Sequence, residues 1–555
     1  MKRIFFILFL SLISTSTYAG TINLQNGNYT VTFADMVFPW RHGEMELSRI
    51  YNSGSSHKGF FGYGFGSRFE HKLVQNPDGS VILENFGSGA TQVFTNDNYQ
   101  QTQISNVVDQ IIQKLPGSER GDKIKEELTA NYHHRQRLAA KFKIQAPEIP
   151  TGTKFSSFDV GQEWLTKTKD GWEIDRHDGS NLFFDKDGRI VKELIKGKYP
   201  IVYNYNEKKR LDNITDDSGK ALITFTFNSE NFVTQVRFLE KATVATYKYK
   251  FHLLIESTDA ENITYKYSYD KRDNLSKILA ADGKTEEMEY DARYRDRVAN
   301  YKSMDDVLTN YNFIPLNPEN PEQYFSLDIT KKLVGSRAPS SDTSTPFHTS
   351  KYTFFFKIYP DGRKYLNWHE VSEYGEKTKT EYGDPFGLPV AITKGDKKTM
   401  FEYYSNGLLK KKVFPNGEAI ELAYNEKFKK VSKVTRGPQT IQYEYDALGN
   451  LKKATDISTK ESVQLEYDAK QRITKMSSSS KSTLTFEYQE GGKPTKITVV
   501  GKGSLQPVYD SNGNIIDMKS SNGRKLTIEA QETFNTLLRM VKPAGVTFGF
   551  GDQAV

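Results

Sequence analysis

The chain has 555 residues and a formal net charge of +7, and 37% of its residues are hydrophobic and 13% aromatic. This content of apolar and aromatic side chains excludes a wholly disordered chain. The charge is mild for the length, and its densest basic clusters, 410–412 and 429–430, fall within predicted strands and turns, so nucleic acid is not expected as a partner. The chain contains no cysteine, which excludes disulfides, a cysteine-linked lipid anchor and cysteine nucleophiles.

The N-terminus has the pattern of a secretion signal. Lys2 and Arg3 precede a short apolar run over 4–13, and Thr17-Tyr18-Ala19 offers a small-residue cleavage site. We predict that residues 1–19 are removed on export through the general secretory route, to the periplasm, the cell surface or the medium. No later stretch is apolar enough to be predicted as a membrane span.

Two regions of different character follow the signal. Residues 20–102 are predicted to form a β-rich N-terminal domain that does not follow the 20–22-residue repeat of the later chain. Within 103–145, apolar residues recur at helical spacing, and Pro116-Gly117 interrupts them. The pattern predicts a helical hairpin near 105–142, inserted into a β protein.

A unit centred on an aromatic residue, often Tyr-Asp, then returns every 20 to 22 residues in two runs. A fixed period of this length is typical of stacked supersecondary units. The anchor aromatics are Phe184, Tyr205, Phe227, Tyr249, Tyr269 and Tyr290 in the first run, and Tyr382, Tyr403, Tyr424, Tyr445, Tyr467, Tyr488 and Tyr509 in the second.

Each unit is predicted to be a β-hairpin. Ile441, Tyr443 and Tyr445 alternate with polar residues, as side chains do across a strand. The Asp or Asn after the aromatic starts a turn, and a following Gly or Asn adopts the positive φ that tight turns need. The predicted structural turn residues are Tyr269, Asp270, Tyr445, Asp446, Gly449, Tyr467, Asp468, Tyr509, Asp510 and Gly513.

The fold class that follows is all-β. Hairpins that are marginal alone pair edge to edge, and strand twist coils the resulting ribbon into a full or partial hollow shell. We assign a first run of repeats to 146–290 and a second run to 351–555. Between them, 291–350 loses the period and is rich in Pro, Ser and Thr, which predicts an irregular insertion.

These repeats resemble those of the rearrangement hot spot family, also called YD-repeat proteins. The resemblance extends to 48–53 and 61–65, which are similar to the domain that opens many members, and to 164–190, which is similar to the usual start of the array. It implies a strand ribbon that spirals into a hollow shell. Bacterial members often enclose a C-terminal toxin and release it by self-cleavage, and animal relatives act in cell-surface adhesion.

The family's core segment has a counterpart in Asp384-Pro385-Phe386-Gly387-Leu388. However, Tyr382 and Ile392 keep this segment in phase with ordinary repeats, and further repeats follow. We therefore interpret it as a turn rather than a cleavage site. A toxin domain after Val555 is not expected.

No motif predicts catalysis. The Gly-rich run 59–66 is interleaved with aromatic residues, unlike a phosphate-binding loop, and the adjacent pair His133-His134 points in directions that do not suit one metal ion. No catalytic, cofactor-binding or metal site is predicted, and the chain is expected not to be an enzyme. Four tryptophans are predicted as ligand-stacking residues if exposed: Trp40, Trp164, Trp172 and Trp368.

The sequence thus favours an exported, non-enzymatic β-shell scaffold or surface-adhesion protein, whose partner is a protein or glycan at a cell surface. One alternative is the encapsulating component of a toxin-delivery system with a separately encoded protein cargo. The other is a carbohydrate-binding or carbohydrate-active protein.

Overall fold

The structure of the chain is a computed structural model that describes residues 19–541, apart from 41–42, 86–89, 158–162, 177–178, 196–198, 295, 336–344, 359–363, 384–386, 429, 470, 480–482, 489–492 and 510–514. Almost all of it is antiparallel β-sheet, and the all-β prediction is confirmed. Most of the predicted signal peptide and the Asp384-Pro385-Phe386 turn lie outside the described residues, as do Asp510 and Gly513.

The N-terminal segment forms one long hairpin with short strands beside it. A bulge at Asp35 interrupts the pairing of the hairpin's two strands, because Ala34 pairs with Ser48 while Met36 pairs with Leu47. A short 3₁₀ turn at 68–70 ends the segment. Its strands are β1 (Ala19–Ile22), β2 (Tyr29–Trp40), β3 (Gly43–Asn52), β4 (Lys58–Gly59), β5 (Gly62–Tyr63) and β6 (Phe65–Gly66).

The helical insertion contains three helices rather than the predicted two-helix hairpin: α1 (Asp97–Lys114), α2 (Asp122–Ala130) and α3 (Tyr132–Lys141). It begins earlier than predicted because the Asn96 side chain caps α1, accepting the Tyr99 N–H at 3.0 Å. Asn131 adopts extended dihedrals and caps α3 through the His134 N–H, which separates α2 from α3. The buried pair Arg135–Asp78, at 2.8 Å, ties the insertion to the β-sheet.

Among the described residues, one antiparallel ribbon of thirty-six strands makes up the rest of the sheet structure. Each strand pairs with the next in sequence. Its first eighteen strands are β7 (Lys72–Gln75), β8 (Val81–Asn85), β9 (Ala90–Thr95), β10 (Lys154–Ser157), β11 (Trp164–Lys167), β12 (Gly171–Asp175), β13 (Asn181–Asp185), β14 (Ile190–Ile195), β15 (Tyr199–Tyr205), β16 (Leu211–Thr215), β17 (Ala221–Phe227), β18 (Val233–Phe238), β19 (Thr243–Lys250), β20 (Leu253–Thr258), β21 (Thr264–Tyr269), β22 (Leu275–Leu279), β23 (Thr285–Tyr290) and β24 (Val298–Lys302).

The second half of the ribbon continues without a break in pairing and is followed by one helix, α4 (Gly523–Val541). Its strands are β25 (Val307–Pro315), β26 (Tyr324–Leu333), β27 (His348–Ile358), β28 (Lys364–Glu373), β29 (Glu376–Gly383), β30 (Leu388–Lys394), β31 (Lys397–Tyr403), β32 (Leu409–Val413), β33 (Ala419–Tyr424), β34 (Val431–Arg436), β35 (Gln439–Tyr445), β36 (Leu451–Asp456), β37 (Ser462–Tyr467), β38 (Ile473–Ser478), β39 (Thr483–Tyr488), β40 (Pro494–Val499), β41 (Gly503–Tyr509) and β42 (Ile515–Ser520).

Three predicted boundaries differ from the structure. Strands β7–β9 belong to the ribbon and not to an N-terminal domain ending at 102, because β9 pairs with β10 across the helical insertion. The region 291–350 is not an irregular insertion, since β24 to β27 pair in order within the ribbon. The second run of repeats does not continue to 555: residues 523–541 form α4, whose buried residues Leu526, Ala530 and Leu537 recur at helical spacing.

The ribbon curls back on its own start. Lys72 of β7 bridges Arg189 beside the β13–β14 turn, and the Leu73 N–H donates to the Gly188 carbonyl at 2.8 Å. Gly188 has φ +78°, and a Cβ there would collide with the Leu73 carbonyl, so this contact requires glycine. A specific backbone contact therefore joins the first strand of the ribbon to the β13–β14 turn.

Every anchor aromatic of the sequence period lies at a β-bulge. Tyr445 pairs with Leu451 while Glu444 pairs with Lys453, so Lys452 is the extra residue on the second strand. The same register shift occurs at all thirteen anchors. Bulges increase local twist, so one bulge in each hairpin spreads the curvature evenly along the ribbon.

Most anchor tyrosines also fasten one hairpin to the hairpin before it. The hydroxyl donates to a backbone carbonyl 14 to 16 residues earlier, at 2.5 to 2.9 Å. We call this bond the tyrosine staple. The ten tyrosines that form it are Tyr205, Tyr249, Tyr269, Tyr290, Tyr403, Tyr424, Tyr445, Tyr467, Tyr488 and Tyr509.

The aspartate after the tyrosine organises the turn. Asp446 Oδ1 accepts the N–H groups of Leu448 and Asn450 at 2.8 and 2.9 Å, and Gly449 has φ +80°. Asp270 accepts two N–H groups in the same way, and Asp468 accepts the Arg472 N–H at 2.9 Å. These are the side-chain-to-backbone bonds of an Asx turn.

We expect Tyr445→Phe to lower the free energy of unfolding by about 1 kcal/mol, because the Val431 carbonyl loses its hydroxyl donor while the ring keeps its packing. The shift of the urea midpoint measures this loss. Tyr374→Phe is the matched control, since Tyr374 is 79% exposed and its hydroxyl bonds an exposed His348 nitrogen. Equal shifts for the two variants would contradict a structural role for the staple.

Candidate functional site: the inner face of the ribbon

One face of the ribbon is apolar along its length, and the register shows that this face is continuous. Pairing connects Phe325, Phe354, His369, Thr380 and Ile392 across β26–β30. Beyond β30, pairing carries the same face to Leu465 on β37. We call this side the inner face, because both the N-terminal segment and α4 pack on it.

The N-terminal segment covers the inner face of the first half of the ribbon and is here called the plug (residues 19–70). Its side chains share one hydrophobic core with those of β10–β24. Backbone bonds fix its position: the Val233 N–H donates to the Phe60 carbonyl, and the Val298 N–H donates to the Gly27 carbonyl. The plug therefore docks through sheet-like bonds as well as through apolar contact.

A buried ion pair within the plug is hydrogen-bonded to the ribbon. Arg49 Nε donates to Asp35 Oδ2 at 2.6 Å, and both side chains are almost fully buried. Arg49 Nη2 donates to Ser257 Oγ at 2.7 Å, and the Tyr247 hydroxyl donates to Asp35 at 2.8 Å. Because Asp35 is the bulged residue of the hairpin, the bulge directs its carboxylate at the ribbon.

Sequence reasoning missed this pair, although a signal existed. On β3 the apolar residues Met45, Leu47 and Tyr51 share one alternating phase, and Arg49 stands in the same phase. A charged residue in the buried phase of a strand indicates a buried partner. The sequence did not show that the partner is Asp35.

A second buried carboxylate at the same interface has no cationic partner among the residues that the structure describes. Glu286 of β23 accepts the Tyr29 hydroxyl of the plug at 2.8 Å and is 1% exposed. Burial raises the pKa of Glu286 to about 7, and the facing Tyr301 hydroxyl partly offsets this rise. At the plug interface, Asp35 is therefore compensated by the charge of Arg49, whereas Glu286 is stabilised in its neutral form.

On the other side of the ribbon, the outer face, cross-strand Glu–Lys pairs replace apolar residues. Glu466 pairs with Lys475 at 2.8 Å, and Glu487 pairs with Lys496 at 2.9 Å. Such exposed pairs contribute little stability. They keep a long sheet face polar and limit its association with other sheets.

The tryptophans predicted to stack on a ligand lie in different surroundings. Trp172 is 2% exposed and belongs to the core, whereas Trp164 is 50% exposed on β11. Trp368 stacks on Phe355 of β27 at 5.9 Å, and Lys379 of β29 lies 5.1 Å from its ring, so neighbours from both flanking strands contact the indole. Trp40 ends β2, and its side chain lies outside the described residues. The structure does not bring the described tryptophans together.

Among the described residues, no group of three or more His, Asp or Glu side chains is placed to hold a metal ion. In the same part of the chain, no helix has the length and apolar character needed to cross a membrane.

We expect stability to fall as pH rises from about 4.5 to about 7, because Glu286 ionises in the unfolded chain before it ionises in the folded one. An acid whose pKa is higher in the folded chain contributes its full stability when the pH is below its unfolded pKa. That stability is lost as the pH rises through its folded pKa. The loss is on the order of 3 kcal/mol. Urea unfolding at pH 4.5, 6 and 8 measures it.

Glu286→Gln should remove this part of the pH dependence. Glu289→Gln, on the same strand but exposed on the other face, should retain it. If the difference in unfolding free energy between wild type and Glu286→Gln does not vary with pH, the assignment to Glu286 is wrong.

Comparison with known proteins supports the family resemblance. A family model described as the Teneurin YD-shell matches residues 420–551, and one described as a domain of unknown function (DUF6531) matches residues 19–94. The comparison with curated proteins finds no match.

Solved structures with a related arrangement include a TcdB2-TccC3 complex without its hypervariable C-terminal region, at 11% identity and TM-score 0.41, where 89% of this chain and 27% of that chain are covered. A second is TcdB2-TccC3-TEV, at 12% identity and TM-score 0.41, where 92% of this chain and 28% of that chain are covered. A third is a Tc holotoxin pore from Photorhabdus luminescens, at 10% identity and TM-score 0.35, where 90% of this chain and 28% of that chain are covered. The chain therefore spans just over a quarter of the length of these solved chains. Taken with the phased Tyr-Asp turns and the antiparallel ribbon, the match to the Teneurin YD-shell model bears out the resemblance of this chain to the rearrangement hot spot, or YD-repeat, family.

Proposed function

We propose that this chain is an exported, non-enzymatic β-shell scaffold that binds a partner protein along its extended sheet surface. One observation carries the proposal. The inner face is covered by the plug over the first half of the ribbon and by α4 over β36–β42, and between them, on β28–β31, it presents half-buried side chains that are mostly apolar or aromatic. A sheet face covered in this way at both ends and open between them suits the holding of a partner.

The ionisable groups that stand out in the structure support a scaffold role. Arg49 and Asp35 neutralise each other at the plug, and Asp270, Asp446 and Asp468 each bond their own turn. Each of these groups thus has a structural partner that accounts for it. The basic and apolar pattern of residues 1–19 supports export.

A second function, the encapsulation of a separately encoded protein cargo, is favoured by where the open apolar surface lies. It is on the inner face, which the curl of the ribbon turns toward the plug. An adhesion partner would bind the Glu–Lys-covered outer face or the turns instead. The two functions therefore differ in which face the partner contacts.

Particle images of the purified exported chain test the scaffold proposal. We expect an intact chain lacking residues 1–19 that forms a curved wall around a cavity. In a complex, density within the cavity favours encapsulation, and density on the outside favours adhesion. Separate globules, or turnover of a substrate that a conservative substitution of one inner-face residue abolishes, would overturn the proposal.

A further inference from the structure

The inner face between the plug and α4 contains a strip of side chains, most of them apolar or aromatic, that no buried cluster includes among the described residues. On β28–β31, six inner side chains are half-buried, whereas their counterparts Val463 and Leu484 under α4 are each 1% exposed. We call these six residues the open strip. They are His369, Val371, Tyr382, Ile392, Phe401 and Tyr403.

Helix α4 shows what this face accepts. Its apolar side, Leu526, Ala530 and Leu537, joins one cluster with residues of β37–β41, so the helix lies across the strands. At 1.5 Å per residue its 19 residues span about 28 Å. Seven strands about 4.8 Å apart span nearly the same distance, so the helix covers β36–β42 completely.

The open strip continues this same face and repeats its chemistry. The register carries the inner face from β31 through Lys412 and Ile420 to the strands that α4 covers. Strands β28–β32 span about 19 Å, which corresponds to roughly 13 residues of helix. A helix shorter than α4, with one apolar side, therefore fits the strip.

The positive charge of Lys412 indicates that the bound helix carries an acidic side chain. Lys412 pairs with Phe401, and its ammonium lies 5.6 Å from the Phe401 ring and 4.9 Å from the Phe414 ring. No carboxylate lies within ion-pair distance of it in the part of the chain that the structure describes, and burial lowers its pKa. Helix α4 supplies a carboxylate to a lysine of the ribbon in this way, since Glu529 lies 3.8 Å from the exposed Lys502 of the β40–β41 turn.

We propose that the open strip binds an amphipathic α-helix of a partner polypeptide, with its apolar side on Ile392, Phe401 and Tyr403 and an acidic side chain beside Lys412. This deepens the proposed scaffold function, on which it rests, by assigning the kind of segment that is held and the strands that hold it. A cargo or partner with such a helix is bound beside α4 in the same manner as α4 itself.

The probe is a fluorescent peptide with the sequence of residues 525–537, which keeps Leu526, Glu529, Ala530 and Leu537 of α4, added to the full exported chain. We expect saturable binding in the micromolar range. Ile392→Asp and Phe401→Asp should each weaken it about tenfold or more. Met400→Asp should leave it unchanged, because Met400 is next to Phe401 in sequence but 50% exposed on the outer face.

A charge exchange keeps the test valid if an apolar variant fails to fold. Lys412→Glu should weaken binding of the wild-type peptide about tenfold, and a peptide with Glu529→Lys should recover most of the loss on that variant. Absence of binding, equal effects of Met400→Asp and Phe401→Asp, or cross-linking of the peptide only to β36–β42 would overturn the proposal. A natural partner seen on the outer face in particle images, with no peptide binding to the strip, would leave the scaffold function standing and remove the helix site.

Discussion

The fold depends on the aromatic residue that opens each turn, because this one residue solves two problems of a long ribbon. A long antiparallel sheet must curve continuously and must also hold neighbouring hairpins together. The bulge at Tyr445 supplies local twist, and its hydroxyl reaches the Val431 carbonyl of the preceding hairpin. Burying the phenol alone would leave a polar group to satisfy, so the staple also meets the ring's own hydrogen-bonding requirement.

The plug interface shows how a curled ribbon is given a defined starting point. Apolar contact is non-directional and would permit several positions of the hairpin. Arg49 pairs with Asp35 and also bonds Ser257 on β20, which selects one position of the hairpin. In any other position these groups would lie unpaired in the core, and that cost exceeds what apolar contact regains. Glu286 at the same interface carries a cost at neutral pH that the paired acid avoids.

Much of the ribbon could be predicted because its signals are local. The alternation of Ile441, Tyr443 and Tyr445 and the Asp446 turn lie within one short stretch, and the structure places them as hairpin and turn. The strands at 298–333 were missed because their hairpins are longer and their turns lack the Tyr-Asp signal, although alternation persists in β26. Helix α4 was missed because the repeat period was extended over residues whose apolar spacing had already become helical.

The plug contacts and the open strip could not have been predicted from the sequence. Arg49 and Ser257 are more than 200 residues apart, and nothing local joins them. Ile392 of the open strip and Leu465 beneath α4 are apolar residues of the same strand phase, so the local pattern does not separate a half-buried position from a buried one. Burial of this kind is a property of the assembled curl and not of any one repeat.

The reach of the tyrosine hydroxyl also has a consequence for how such a wall can change in length. Because Tyr467 bonds Leu451 and Tyr488 bonds Ile473, each staple joins a unit to its immediate predecessor. Where neither the plug nor α4 covers the ribbon, duplication or deletion of one whole unit of about 21 residues would leave every remaining staple with its donor and acceptor. A deletion of an odd number of residues within a strand would move every later side chain of that strand to the opposite face of the sheet. The architecture therefore tolerates growth and shortening in whole units and resists changes of any other size.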